Sequence, residues 1–260
     1  MNDEGSTMSD ERDTEAPRRR VVRVRHELKR RELTVRRVQA ISPHFVAITF
    51  GGESLADFVS DSFDDHVKFM LDADGPAPVR RDYTPRSFSR AARELVIEFA
   101  LHGHGAASEW ARGVQVGQTA VIGGPRGSMI VPLDYDWHLL AGDATALPAI
   151  HRRLDELPAG SRARVLVQLD DEADRRRFSS AAEIDVQWQP DADGWLAALR
   201  ALPLPPGDGF AWCAGEARLM AQARELLLQR GHPREAMRVA AYWKQGASDF
   251  HETLEGRAEG

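Results

Sequence analysis

One cysteine, Cys213, serves all 260 residues. That excludes an internal disulfide and a cysteine-built zinc cage. No apolar run approaches the roughly 18–20 residues of a membrane helix, so no membrane insertion is expected. The opening stretch, Met1 to Pro17, lacks both the basic and the apolar segment of a secretory leader, and a cytoplasmic protein is the expectation. The same stretch has almost no large apolar side chain. It holds Asp3, Glu4, Asp10, Glu11, Asp13 and Glu15 against Arg12, a net of −5 within the chain's −6. A segment of that composition has nothing to bury, so residues 1–20 are expected to be a disordered tail, and residues 246–260 a tail at the other end. No internal repeat, heptad pattern or groove-reading motif is present.

What remains is close to neutral, and the chain, 42% hydrophobic over its whole length, is long enough to bury a substantial core. A basic stretch opens it: Arg18, Arg19, Arg20, Arg23, Arg25, Lys29, Arg30, Arg31, Arg36 and Arg37, against Glu27 and Glu32. A nucleic-acid patch is one reading; a solvated strand face is the plainer one. Val46, Ile48 and Phe50 then alternate with Ala47 and Thr49, the period of a half-buried strand. Val67, Phe69 and Leu71, and Leu95, Ile97 and Phe99, repeat it. Leu33 to Val38, Arg81 to Thr84 and Gln118 to Ile122 bring the expected strands to six, a closed barrel or sandwich interrupted by a short helix at Ala106 to Arg112.

The period changes near residue 136. Trp137 to Ala141 is a short apolar run. Leu147, Ile150, Leu154 and Leu157 follow at helical spacing, and further strands are expected at Arg164–Leu169, Ile184–Trp188, Phe210–Cys213 and Val239–Trp243 with helices between them. Alternation of this kind predicts a five-stranded parallel sheet with ligands beyond the carboxyl ends of its strands. The expected division is therefore a β-barrel over residues 21–133 and an α/β domain over residues 134–245.

Several motifs suit flat, anionic ligands. In Arg81-Asp82-Tyr83-Thr84-Pro85 a twist or bulge would aim an aromatic ring, a hydroxyl and a guanidinium at one ligand. In His102-Gly103-x-Gly105-x-Ala107-Ser108, the glycines permit close backbone approach and the helix start offers free N–H groups to an anion. Gly142-Asp143-x-Thr145 sits at the first strand–helix junction of the α/β region, although it departs from a full glycine fingerprint; a capped tight turn is the alternative. Asp170-Asp171 suits a ribose diol, whereas Arg175-Arg176-Arg177 suits a 2′-phosphate or a solvated face. Cys213 reads as a buried strand residue near the cofactor edge, and Trp243 as core or lid. His102 with His104, and Asp65 with His66, lack a convincing third ligand, so no metal site is expected.

Asp64-Asp65-His66-Val67-Lys68, the two barrel motifs above, Gly124-Pro125-Arg126-Gly127-Ser128, Gly142-Asp143-x-Thr145-Ala146-Leu147-Pro148, Ala214-Gly215-Glu216 and Ala241-Tyr242-Trp243 occur in one order. Together they resemble the siderophore-interacting protein family, within the ferredoxin–NADP reductase-like superfamily, over residues 28–245. The resemblance implies FAD held by His66, Arg81, Tyr83, Thr84, His102, Gly105, Ala107 and Ser108, and NADPH at Gly142, Asp143 and Thr145. It implies a basic mouth of Lys68, Arg126 and Arg238 for a ferric siderophore or other ferric chelate, and reduction of its iron to Fe(II). A flavin module reduced by a ferredoxin is the alternative, and a nucleic-acid-binding protein the remaining one.

Overall fold

The computed structural model describes residues 20–76, 78–101, 105–247 and 252–253. Residues 1–19 of the expected tail, and His102 with Gly103, lie outside them, whereas Arg20, its last residue, pairs with Asp134 and Asp208. The chain first forms β1 (Val22–Arg25), β2 (Arg30–Ser42), β3 (Phe45–Gly51), β4 (Val67–Leu71), β5 (Val79–Tyr83), β6 (Pro85–Ser89) and β7 (Glu94–Ala100). Helix α1 (Ala106–Gly113) then leads to β8 (Thr119–Gly123) and β9 (Gly127–Ile130). Seven of these strands make one antiparallel sheet in the order β5-β4-β8-β2-β3-β7-β6. Its two edge strands, β5 and β6, are halves of one segment broken only at Thr84. The edges therefore meet there, and the sheet closes as a barrel with six strand positions, as the alternating pattern predicts. Leu33, Val35, Ile48, Phe50, Val67, Phe69, Leu95, Ile97, Phe99 and Ile122 fill it, each almost fully buried. The outer ribbon of β1 and β9 is not apparent in the sequence.

The second half runs β10 (Trp137–Asp143), α2 (Leu147–Glu156), β11 (Arg162–Gln168), β12 (Glu183–Gln189), α3 (Ala192–Ala201), β13 (Gly209–Glu216), α4 (Ala217–Gln229) and β14 (Met237–Trp243). Strands β12-β11-β10-β13-β14 pair in parallel in that order. A two-residue strand, β15 (Glu252–Thr253), adds an antiparallel edge inside the segment expected to be a tail. Central strands β10 and β13 are buried almost end to end because both faces are covered. Leu147, Ile150 and Leu154 of α2 pack one face together with Phe45, Phe63 and Val131 of the barrel half. Trp195 and Leu199 of α3, and Leu219, Ala223 and Leu227 of α4, cover the other.

One expectation needs correcting. No α-helix joins β11 to β12; a single 3₁₀ turn, Glu172–Asp174, does so. The segment has no apolar stripe to lay on the sheet, and it is fastened to the barrel instead. The Asp174 carboxylate accepts from the Ser42 hydroxyl at 2.6 Å and lies 2.9 Å from His44 Nδ1.

Candidate functional site

The barrel's closing seam is also its most chemically loaded segment. Arg81 and Tyr83 lie on one face of β5, opposite Phe69 and Val67 of β4, while Asp82 lies on the other face and pairs with Lys68 at 2.7 Å. The Tyr83 ring packs 4.3 Å from Phe99 and 5.9 Å from Phe69, centroid to centroid. Burial pushes its phenol above the ordinary range, with the Arg81 charge acting the other way, so the ring stays neutral. Strand pairing lapses at Thr84 and resumes irregularly between Pro85 and Ser87, which is the expected twist. Trp110 of α1 packs on the same aromatic group, 4.8 Å from Phe69 and 5.7 Å from Phe99. Helix α1 and the Arg-x-Tyr strand thus pack on the same aromatic group.

That helix start suits an anion. Gly105 occupies the cap position and has no side chain to cap the first turn, and the space a Cβ would take there is open to 4 Å. Ala107 is buried beneath, and the Ser108 hydroxyl donates to the Ala100 carbonyl at 3.1 Å. A guanidinium, an aromatic ring and the amides of a helix start fit an elongated ligand with a flat ring system and phosphates, which is the chemistry of FAD.

The segment before β4 links the two halves. Asp65 Oδ2 accepts from the hydroxyls of Ser128 at 2.6 Å and Ser60 at 2.9 Å, and from Ser62 N–H at 3.1 Å. Desolvation raises its pKa, opposed by those donors. Asp64 reaches the parallel sheet. It accepts from Trp212 Nε1 at 2.9 Å, Arg238 Nε at 2.6 Å and the Tyr242 hydroxyl at 3.3 Å. Tyr242 also bonds to the Thr84 side chain. Half-buried His66 therefore leaves a segment pinned on both sides, and its carbonyl faces Gly124 of the turn that carries Arg126.

Strand order reverses at β10, so the carboxyl ends of β10 and β13 border the crevice where nucleotides bind in such sheets. Gly142 is required there by the neighbouring strand, since a methyl group would collide with the Ala214 carbonyl oxygen. Asp143 turns inward. Its carboxylate accepts from Thr145 N–H at 2.8 Å, the Thr145 hydroxyl at 2.5 Å, Glu216 N–H at 2.8 Å and Trp243 Nε1 at 2.8 Å. Desolvation raises its pKa. The expected nucleotide contact is thus a knot that ties the ends of β10, β13 and β14 together. Half-buried Thr145 gives its N–H and hydroxyl to Asp143, and the 41%-exposed Trp243 borders the same end of the sheet. Cys213 packs on the opposite face with Trp195 and Leu199, its thiol pushed up to about 12 by burial; it lies away from the barrel.

Two of the three expected mouth cations are matched by carboxylates: Lys68 by Asp82 and Arg238, 12% exposed, by Asp64. Arg126 is exposed. Of the triple arginine, Arg175 pairs with Glu172, and Arg176 pairs with Glu98 at 2.5 Å, both partners nearly buried. Only Arg177 is both exposed and without an ion pair among the described residues. The basic opening stretch is similarly dispersed, with Lys29 and Arg31 on Asp57, and Arg30 on Asp74.

The family model for Siderophore-interacting protein matches residues 135–246, and that for the Siderophore-interacting FAD-binding domain matches residues 34–79 and 72–129. The NADPH-dependent ferric-chelate reductase of Escherichia coli (strain K12) is 35% identical over 243 residues, which cover 85% of this chain and 95% of that protein. The chain belongs to the siderophore-interacting protein family. Ferric vibriobactin reductase ViuB of Vibrio cholerae is 30% identical over 245 residues, covering 83% of this chain and 90% of the other. A siderophore utilization protein from T. fusca superposes with a TM-score of 0.82 at 32% identity, covering 88% of this chain and 98% of that one. Like other members, this siderophore-interacting protein carries an FAD-binding barrel ahead of its parallel sheet.

Proposed function

We propose that this protein is an oxidoreductase that passes electrons from NADPH to the Fe(III) of a siderophore or similar chelate, releasing the metal as Fe(II). The observation that carries the reading is the convergence of Arg81, Tyr83 and Thr84 at the barrel seam with Tyr242 of the parallel sheet. One ligand at the seam would thereby lie against both halves. FAD, when bound, supplies the exchange between a two-electron hydride and single electrons. Arg81 would hold its phosphates with the amides at the start of α1, beside Gly105, Ala107 and Ser108. Tyr83 would pack on its ring system, and Thr84 and His66 would border the ring. Gly142 and Thr145 would receive the NADPH phosphates on a turn that Asp143 keeps rigid, and the Trp243 indole would close the crevice to water.

Iron in a siderophore is already saturated by its own ligands, so the protein needs no iron ligands of its own, only a mouth wide enough for the chelate. Arg126 with Lys68 and Arg238 would supply positive charge there, tempered by Asp82 and Asp64. An anaerobic titration tests the reading. Purified protein should be yellow, and NADPH should bleach the flavin band. Colourless protein that FAD does not reconstitute, or a band untouched by NADPH, would refute it.

A further inference from the structure

Helix α2 leaves the nucleotide turn and presents two adjacent buried arginines to the barrel, and they do different things. Arg153 Nη2 donates to the carbonyls of Val131 at 3.1 Å and Pro132 at 2.7 Å, and its guanidinium lies over the Phe63 ring. Val131 and Pro132 are links in the connection between the halves, remote in sequence from Thr84 and His66, and Phe63, which opens the segment before His66, is met only through its ring face. Arg152, only 7% exposed, reaches the seam. Its Nη1 donates to the Ser60 hydroxyl at 2.7 Å and the Pro85 carbonyl at 2.9 Å, its Nη2 to the Ser60 carbonyl at 2.9 Å, and its Nε to Glu156 at 2.9 Å.

Those acceptors are the supports of the two groups expected to border the flavin ring. Pro85 directly follows Thr84, at the irregular step where the ladder lapses, and its carbonyl is held from outside the barrel. The Ser60 hydroxyl in turn donates a hydrogen bond to Asp65, the residue before His66. We propose that Arg152 is a positioning residue for the flavin ring. One guanidinium, carried by the helix of the nucleotide half, sets both the Thr84 break and the Asp65–His66 segment, so the ring's surroundings depend on where α2 sits. The fork geometry matters. A planar group with fixed donors holds three acceptors on two segments at once, and an ammonium on a flexible stem cannot.

This inference rests on the flavoprotein reading, and the wild-type titration above tests that reading separately. The experiment compares Arg152→Met, Arg152→Lys and Arg153→Met as FAD-loaded proteins. The readouts are the flavin absorption spectrum, FAD affinity from titration of the stripped protein, flavin midpoint potential, and melting temperature. Arg152→Met should shift the spectrum and potential, and slow flavin reduction by NADPH roughly tenfold to a hundredfold, the penalty of slight misplacement. The half-saturating NADPH concentration should hold. Arg152→Lys should recover part of the loss. Arg153→Met should lower the melting temperature while leaving spectrum and potential as in the wild type. If Arg152→Met does not fold, Ser60→Ala takes its place and should shift spectrum and rate in the same direction by less. A wild-type spectrum, potential and rate in Arg152→Met, or in Ser60→Ala where that variant stands in, would overturn the proposal.

Discussion

Arg81 and Tyr83 share one strand face because they stand two residues apart, and that spacing is the whole reason they can address one ligand. Removing either should weaken FAD binding. Arg81→Ala loses a charge-assisted contact worth about 1.5–3 kcal/mol, so the dissociation constant, read by titrating stripped protein, should rise roughly tenfold to a hundredfold. Unchanged affinity in both variants would remove the motif from the site. A second residue acts on stability. His138 is fully buried, and desolvation, with the Arg153 charge nearby, lowers its pKa from 6.5 to about 3. Its folded-state pKa is depressed, so the neutral imidazole favours the native state above pH 6.5, and that contribution is lost as pH falls toward 3. The slope is up to about 1.4 kcal/mol per pH unit. His138→Phe should flatten the acid limb of a melting-temperature profile, and a profile identical to wild type would contradict this. Residue types at the seam were legible in the sequence because spacing along a strand fixes sidedness. The capped turn at Asp143 was legible as an alternative, but its wider knot was not, because the other donors come from segments as far apart as Glu216 and Trp243. Arg152 was missed too, although an Arg-Arg pair amid the apolar positions of α2 was a usable clue.

Among the elements, central strands β10 and β13 carry the tightest constraint. Gly142 lets the Ala214 carbonyl pass where a side chain would stand. Gly142→Ala should therefore push β13 aside or twist the Asp143 knot, and overpacking of this kind costs about 1–3 kcal/mol. The expected outcome is a lowered melting temperature together with a raised half-saturating NADPH concentration; a wild-type melt would show that the strands can yield. Barrel strands were readable from alternation, and the parallel strands from their apolar runs, since burial on one face or on both writes those patterns directly. The β1–β9 ribbon was not, because Arg23 and Arg25 alternate with valines in a way that reads equally as exposed chain. The missing helix between β11 and β12 was mistaken for the usual crossover, because tertiary bonds to the barrel replace the apolar stripe a helix would have needed.

Across the whole molecule, charged side chains staple the barrel to the parallel sheet. Arg152 holds Ser60 and Pro85, Arg176 holds Glu98, and Asp64 collects Trp212, Arg238 and Tyr242. Removing Arg176 leaves the nearly buried Glu98 with Arg86, 3.4 Å away, as its remaining counter-charge, so part of the roughly 3–5 kcal/mol of a broken buried pair should be lost. Arg176→Ala should accordingly lower the melting temperature well beyond Arg177→Ala. Arg177→Ala should narrow any preference for NADPH over NADH and leave the melt unchanged. If Arg176→Ala melts with the wild type, the Glu98 pair contributes nothing to docking. The account as a whole requires that electrons from NADPH arrive on iron. The measurement that tests it most directly is an anaerobic count of Fe(II), trapped by a ferrous-specific chromophore, against NADPH consumed with a ferric siderophore as acceptor. Each NADPH gives up two electrons and each Fe(III) takes one, so two Fe(II) should appear per NADPH. NADPH that is not consumed, or is consumed without Fe(II), would contradict the account; Fe(II) formed only when a reduced ferredoxin replaces NADPH would place the electron donor elsewhere.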